Sequence, residues 1–412
     1  MKEERTRNLM SYNKAVLAQL NKRNVLDMIR TQGPINKAEI ARQTALSIPT
    51  VMKITEEFER QNLIRTVGKG ESTGGKRPDM LEFVADAFYV AGVDIGRHYV
   101  KLVIMDMEAS IQAQDCFQTT EEDVQNPEGY LQKIAEKIED LIASSEIDSI
   151  RLMGIGIGMP GILDKEKETV LFSPDFNWMN IPIYQIFQKR FQCKILVENS
   201  NRALAVGEYT YGAARGAEYI LCINLGYGIG AAIIEDGELL SGSSGTGGEL
   251  GHMIMDPEGP VCDCGNRGCL EALASGNAIT KIMVQEIRRG KESTVVKWLT
   301  EERRLEAEQV FEEARSGDRL SREIIERSMD YLGVAIASCI NLLDPDTIIL
   351  AGGLTKSQDL FFEKLQADVQ RHKMRYSGRN VKMKIGSLGE YGTAIGAATL
   401  LIRQFIENGG EL

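Results

Sequence analysis

Between Gly247 and Glu271 the chain reads GGELGHMIMDPEGPVCDCGNRGCLE, the densest concentration of reactive side chains in the sequence. His252, Cys262, Cys264 and Cys269 supply one imidazole and three thiols within eighteen positions, ligands that Zn²⁺, a borderline-soft ion, takes readily in a tetrahedral set. Gly265 and Gly268 let the short loop double back so that all three sulfurs face one ion. Three of seven cysteines and one of three histidines fall here, a clustering that scattered buried thiols do not produce. A closed set of four protein ligands predicts a structural ion and argues against a zinc hydrolase, which needs an open coordination position. One ring nitrogen of His252 can bind metal while the other points at a ligand. Glu249 and Glu271 flank the loop and are natural acceptors for hydroxyl groups, so the stretch predicts a metal staple beside a polyhydroxylated ligand.

The surrounding elements alternate between strand and helix. Tyr89 to Ile95 (YVAGVDI) predicts an apolar strand ending in Asp94-Ile95-Gly96, with Tyr99 to Asp106 as its hairpin partner. An amphipathic helix follows over Asn126–Ser144, then a buried strand from Ile150 to Gly158. Ile195 to Val197 predicts a short strand leading into Glu198-Asn199-Ser200-Asn201 and a helix from Arg202 to about Tyr211. The cycle restarts with Tyr219 to Leu225, a Gly226-Tyr227-Gly228-Ile229-Gly230 turn and a returning strand over Ala231–Glu235. Helices are predicted over Asn277–Arg289, Glu292–Arg315 and Arg319–Leu343. Thr347 to Leu350 runs as a strand into Ala351-Gly352-Gly353, Val381 to Ile385 is a last strand, and Thr393 to Glu407 a closing helix. The echo predicts two related α/β lobes with a ligand cleft between them.

Upstream lies a different kind of module. A helix over Asn13–Thr31, with Val16, Leu17, Leu20, Val25, Met28 and Ile29 on one face, ends at Gly33-Pro34. Asn36 caps a second helix and Ser47 a third, with Pro49 in its first turn. Two short helices joined by a tight turn make a helix-turn-helix, which places Ser47, Thr50 and Lys53 near the reading end of the third helix. Leu63–Val67 and Met80–Phe83 predict a hairpin whose glycine-rich tip carries Lys69, Lys76 and Arg77, a wing suited to a narrow minor groove.

Charge separates the two parts. Residues 1–80 hold 15 Lys+Arg and 9 Asp+Glu, net +6, which leaves 33 and 50 in the remainder, net −17. A basic head on an acidic body predicts a nucleic-acid-binding module attached to something else. Met1–Arg7 is charged rather than apolar, and Leu152–Leu163, the longest nearly uncharged apolar stretch, falls short of the ~18 residues of a membrane span. A cytoplasmic protein with no membrane association is expected, its thiols used for metal rather than disulfides.

Together these pieces resemble the ROK family (repressors, open reading frames and kinases), and the resemblance covers essentially the whole chain. It implies a winged helix-turn-helix over residues 1–83 and a two-lobed, actin-like, hexokinase-like (ribonuclease H-like) α/β ATPase-type body. The first lobe would take residues 84–198 and 393–412, the second 199–392 with the zinc site. Asp94-Ile95-Gly96 and Gly226–Gly230 resemble the two phosphate loops, Ala351-Gly352-Gly353 the adenosine-side glycine motif, and Gly247–Glu271 the family signature. By that resemblance Asn199, Glu249, His252 and Glu271 match the family's sugar contacts. The winged head is similar to the repressor branch, whose members answering to xylose or N-acetylglucosamine are the nearest analogues.

Departures from the kinase pattern favour a sensor. The aspartate that serves the kinases as general base is Ser200 here, and losing a base typically costs ~10²- to 10⁴-fold in rate. Arg97-His98 stands where the kinases carry Gly-Thr, and Tyr227 replaces a threonine in the second loop. The expectation is a sugar-responsive transcriptional regulator with no catalytic residue, Zn²⁺ as a structural ion, and operator DNA and a sugar or sugar phosphate as partners. Operator symmetry, with the habit of the family the chain resembles, implies a homodimer or homotetramer. The competing expectation is an ATP-dependent sugar kinase with an accessory DNA-binding head.

Overall fold

A computed structural model describes residues 14–71, 77–145, 147–148, 151–164, 169–299 and 305–411. The head consists of helices Lys14–Gln32, Lys37–Thr44 and Ile48–Arg60. Asn36 caps the second by accepting from the Glu39 amide at 2.9 Å. Ala45 then turns the chain through a left-handed conformation (φ 56°) into the third helix, which Ser47 caps. Ile64–Lys69 and Asp79–Phe83 pair antiparallel, and Ile35–Asn36 adds a third strand, completing a winged helix-turn-helix. Lys76 lies outside the described residues.

The first helix departs from expectation. Val25, Leu26 and Ile29 are fully buried, but Val16, Leu17 and Leu20 remain 46, 43 and 41% exposed. The second and third helices have 8 and 13 residues and cover only the C-terminal part of a 19-residue neighbour. At 1.5 Å per residue they are too short to reach its first two turns.

In the body, one five-stranded sheet runs Lys194–Asn199, Leu152–Met159, Tyr89–Ile95, Tyr99–Asp106, Ile111–Gln118. The second runs Glu238–Leu239, Ile229–Glu235, Tyr219–Leu225, Thr347–Ala351, Lys382–Ile385. Each sheet centres on a strand that pairs antiparallel with its hairpin partner and parallel with a crossover strand. These central strands are nearly continuous apolar runs because both of their faces are covered. Two helices, Ser200–Thr210 and Gly392–Glu407, pack between the sheets. Glycine sets that spacing: a Cβ on Gly92 or Gly156 would come within 2.0 Å of the Ala394 or Ala397 carbonyl oxygen. Where the two helices cross, a Cβ on Gly396 would lie 1.8 Å from the Ala203 carbonyl oxygen.

The sequence reading passed over the edge strand Ile111–Gln118, the helix Ile183–Gln188, and a three-stranded meander over Ile162–Asp164, Thr169–Ser173 and Trp178–Ile181. The stretch from Glu292 to Arg315 is not one helix: a 3-10 turn over Thr294–Trp298 and a helix Ala307–Arg315 are described there.

The head is seated on the body. Leu26 and Ile29 share one buried cluster with Met105, Phe405 and Ile406. Lys22 Nζ bonds both Glu57 (2.5 Å) in the head and Glu411 (2.8 Å) beyond the closing helix. Gln19 donates to Asn408 at 3.1 Å, and Arg30 pairs with Glu108 at 3.4 Å. One continuous element, Gly392–Glu407, therefore contacts the helix at the cleft and the DNA-binding head.

Candidate functional site

The metal-loop end of the cleft is built first by backbone. A short 3-10 turn, Leu250–His252, follows strand Ile229–Glu235 closely, because Gly248 (φ 99°) and Gly251 leave room for the Ala231 and Ile229 carbonyls. The loop then folds back on itself through isolated bridges between Ile254 and Cys269 and between Val261 and Arg267. As a result the ligand atoms of His252, Cys262, Cys264 and Cys269 all lie within 4.8 Å of one another, a group able to hold a metal ion. Cys262 Sγ is 3.8 Å from His252 Nδ1, and Cys264 Sγ is 3.7 Å from Cys269 Sγ. The other ring nitrogen, Nε2, faces Glu249 at 3.9 Å.

Asn199 ends its strand and caps helix Ser200–Thr210, accepting from the Asn201 amide at 2.9 Å and donating to the Gly161 carbonyl at 3.1 Å. Asn199 and Glu249 line one cavity of about 570 Å³, together with Asn201, Arg202 and the loop Ser241–Gly247. Glu271 opens instead onto a second cavity of about 540 Å³ that includes Asp175 and Tyr227. Its carboxylate is drawn there by the Ile229 amide, which donates to Oε2 at 2.9 Å. The four expected sugar contacts thus do not share one cavity; His252 stands between the two carboxylates.

Ser200 is buried as the first residue of a helix, so the strand does not continue through it. Glu198 and Ser200 therefore do not share a strand face. Glu198 accepts from the Asn199 amide at 2.8 Å and lies 3.6 Å from the buried Arg202 guanidinium.

Two residues matter that local pattern did not reveal. Arg202 donates to the carbonyls of Ser241, Gly245 and Gly247, pinning the glycine-rich loop over the first cavity. Asp175 arrives from the meander of the other lobe. Desolvation, then repulsion from Glu271 and Asp263, pushes its carboxyl up to about 7, with Arg97 opposing. The Ser173-Pro174-Asp175 turn was the only sequence signal for it.

The two glycine loops meet beside the second cavity, which Tyr227 and Gly228 help to line. His98 from the first and Tyr227 from the second pack edge to face, ring centroids 4.9 Å apart. Arg97 is engaged with Glu121 at 2.7 Å. Asp94 is pushed up to about 6 by desolvation, against the pull of Lys101.

The ROK family pattern matches residues 90–404 and a winged helix-turn-helix DNA-binding pattern matches residues 20–65. The chain belongs to the ROK family. Along 96% of its length it is 27% identical to the xylose repressor of Caldicellulosiruptor bescii, covering 98% of that protein. It is 33% identical to a glucokinase of Thermotoga maritima over 75% of this chain and 96% of that one. Among solved structures, a ROK family transcriptional regulator, a homolog of the E. coli MLC protein, superposes with a TM-score of 0.80 at 27% identity, covering 96% of this chain and 98% of that one. The body therefore has the two-lobed, hexokinase-like α/β fold, and the DNA-binding head belongs to the shared architecture. Among the described residues no helix is long and apolar enough to cross a membrane.

Proposed function

We propose that this ROK protein is a sugar-responsive transcriptional repressor whose kinase-like cleft senses rather than phosphorylates. The observation that carries the reading is the nearly full-length match: relatives named as xylose repressors align over 96 and 94% of the chain, whereas the glucokinase match covers 75% of it. The site supports it. His98 and Tyr227, one from each glycine loop, touch edge to face, a contact that would leave less room for a nucleotide's phosphates. No base stands at Ser200, and phosphoryl transfer depends on positioning and charge stabilisation.

Asn199, Glu249, His252 and Glu271 would hold the sugar, offering an amide, two carboxylates and an imidazole to vicinal hydroxyls. The two adjoining cavities would be joined by lobe closure, bringing Glu271 and Asp175 toward the ligand. Zinc fits the thiol cluster: a tetrahedron with Zn–S bonds of about 2.3 Å has edges of about 3.8 Å, and two of the ligand pairs stand at 3.8 and 3.7 Å. Its chemistry would be to hold four side chains in place, so that His252 keeps Nε2 toward Glu249.

The coupling path runs through packed helices. Sugar at Asn199 acts on the cap of Ser200–Thr210, which crosses Gly392–Glu407 at Gly396, and that helix carries Phe405 and Ile406 into the head's core. A sugar that binds one lobe angle better than the other would shift the population of DNA-competent spacings in a homodimer or homotetramer. Ser47, Thr50, Lys53, Lys69, Lys76 and Arg77 would face the operator, and work on DNA assigns the chain to the cytoplasm.

A thermal-shift screen of free and phosphorylated sugars, followed by operator gel shifts with each hit, tests this reading. A hit that changes DNA affinity while a coupled ATPase assay stays silent is expected. Sugar-dependent turnover above ~1 s⁻¹, an ordinary enzyme rate, would establish the kinase instead.

A further inference from the structure

The third head helix, Ile48–Arg60, buries Val51, Ile54 and Phe58 and turns an unusual face to solvent. Ile48 is 52% exposed and Met52, one turn later, 43%. Exposed apolar residues are ordinary when scattered singly. Here two large ones stand at i and i+4, so their Cβ atoms lie about 5–6 Å apart on one stripe at the helix's leading end.

The hydroxyls beside them take part in the cap. Ser47 Oγ accepts from the Thr50 amide at 3.3 Å and lies 2.8 Å from Thr50 Oγ1. The cap uses one acceptor site of Ser47 and leaves hydroxyl capacity for a polar contact beside the apolar stripe. Lys53, exposed and without a partner among the described residues, adds a cation beside the stripe. The far end of the helix carries Glu56, Glu57 and Glu59, which phosphates repel, so only its first turns can approach a duplex closely.

We propose that Ile48 and Met52 read the C5-methyl groups of thymines in the major groove. Apolar contact with that methyl is a recognised form of base readout, and thymine is the base that carries it. The separation of one helical turn spans one to two base steps, so each half-site should place two thymines adjacent or one pair apart. Lys53 would then position the helix through a phosphate while the two apolar tips discriminate.

This rests on the DNA-binding reading, and the experiment separates the two. Duplexes are selected from a random pool with the full chain at fixed salt, and each thymine of the consensus is replaced by uracil, which removes only the methyl group. Affinity is measured for the wild-type chain and for Met52→Ala. At one or two thymines per half-site, uracil should weaken wild-type binding about fourfold each, the scale of one buried methyl. Met52→Ala should lose a similar factor on the thymine duplex and be indifferent to uracil at one of those positions, the non-additivity expected of groups in contact. A consensus insensitive to uracil throughout would overturn the assignment while leaving DNA binding intact. Met52→Ala that alters sedimentation but not DNA affinity would overturn it too, by giving the stripe to contact between copies. If no sequence is enriched, the DNA-binding reading itself falls, and this inference with it. The uracil arm alters only the DNA, so its result does not depend on how the variant folds.

Discussion

The two ends of the interlobe cleft descend from the same architecture and have been treated differently. At the metal-loop end, glycines at 248 and 251 hold the backbone close, four side chains able to hold a metal ion converge within 4.8 Å, and carboxylates face open cavities. At the phosphate-loop end, the glycine turns survive but their flanking residues are bulky, and His98 and Tyr227 meet across the gap. On the proposed reading, binding and chemistry are separated within one cleft even though Tyr227 and Gly228 border the Glu271 cavity. Recognition of hydroxyl groups needs side chains held in place, which the thiol cluster secures locally. Transfer chemistry needs a base and room for phosphates; on the proposed reading Ser200 stands at the base position, and His98 and Tyr227 meet between the loops.

The largest expected break comes at the metal. Cys269 is fully buried and pairs with Cys264 at 3.7 Å. Cys269→Ser should reduce metal from about one ion per chain to near zero, because a structural site's binding energy is folding energy. Thermal stability should fall and the sugar response vanish, read by elemental analysis, calorimetry and gel shift. An intact sugar response in metal-free protein would show that the two halves of this end are independent.

Glu249→Gln probes the same end without touching the thiols. A hydrogen bond to a charged acceptor contributes about 1.5–3 kcal/mol, so sugar affinity by calorimetry should drop ~10- to 100-fold. Binding to DNA without sugar should be unchanged, since Glu249 is half exposed in the loop and bonds to nothing in the head. Unaltered sugar affinity would remove Glu249 from the site.

The converse variant, His98→Gly with Tyr227→Thr, should sharpen the contrast at the other end. Opening the loops should yield detectable nucleotide binding by ligand-observed NMR. Turnover should still be absent, because a missing base at Ser200 costs ~10²- to 10⁴-fold on its own. Turnover restored by the loops alone would mean that Glu198 or another carboxylate serves as base.

Much of this was legible in the sequence because the signals are local. Tyr89–Ile95 and Arg319–Leu343 are strongly patterned and run as expected, and the spacing of Cys262, Cys264 and Cys269 brings thiols together through a tight loop that glycine permits. What stayed hidden depends on distant chain segments meeting. Arg202 looks like any helical arginine until its guanidinium reaches a carbonyl 43 residues downstream. Asp175 lies in a meander of short strands without strong periodicity, and its partners Glu271 and Asp263 come from the other lobe. Val16, Leu17 and Leu20 have the right period for a buried face, but period does not reveal how far the neighbouring helices extend.

The smallest effect expected concerns Asp94, in the first glycine loop. Its carboxyl is raised from the ordinary 3.8 to about 6, chiefly by desolvation, with Lys101 pulling the other way. Above about pH 6 the folded chain must hold a poorly hydrated carboxylate, a cost the unfolded chain does not bear, so the aspartate lowers stability at neutral and alkaline pH. As pH falls through 6 toward 3.8 the folded state takes up its proton first and the penalty fades; below both values it is gone. Asp94→Asn, neutral throughout, should therefore raise the melting temperature at pH 8 and match the wild type below about pH 4. The residue is only partly buried, so solvent screening limits the gain to roughly one or two degrees. A kinase would need that charge to hold the metal ion that bridges its phosphates, so the same substitution should lower activity in an active relative while leaving DNA binding and sugar response intact here. If Asp94→Asn instead weakened the sugar response, the phosphate-loop end would still be part of the sensor, and the separation of the two ends would be incomplete.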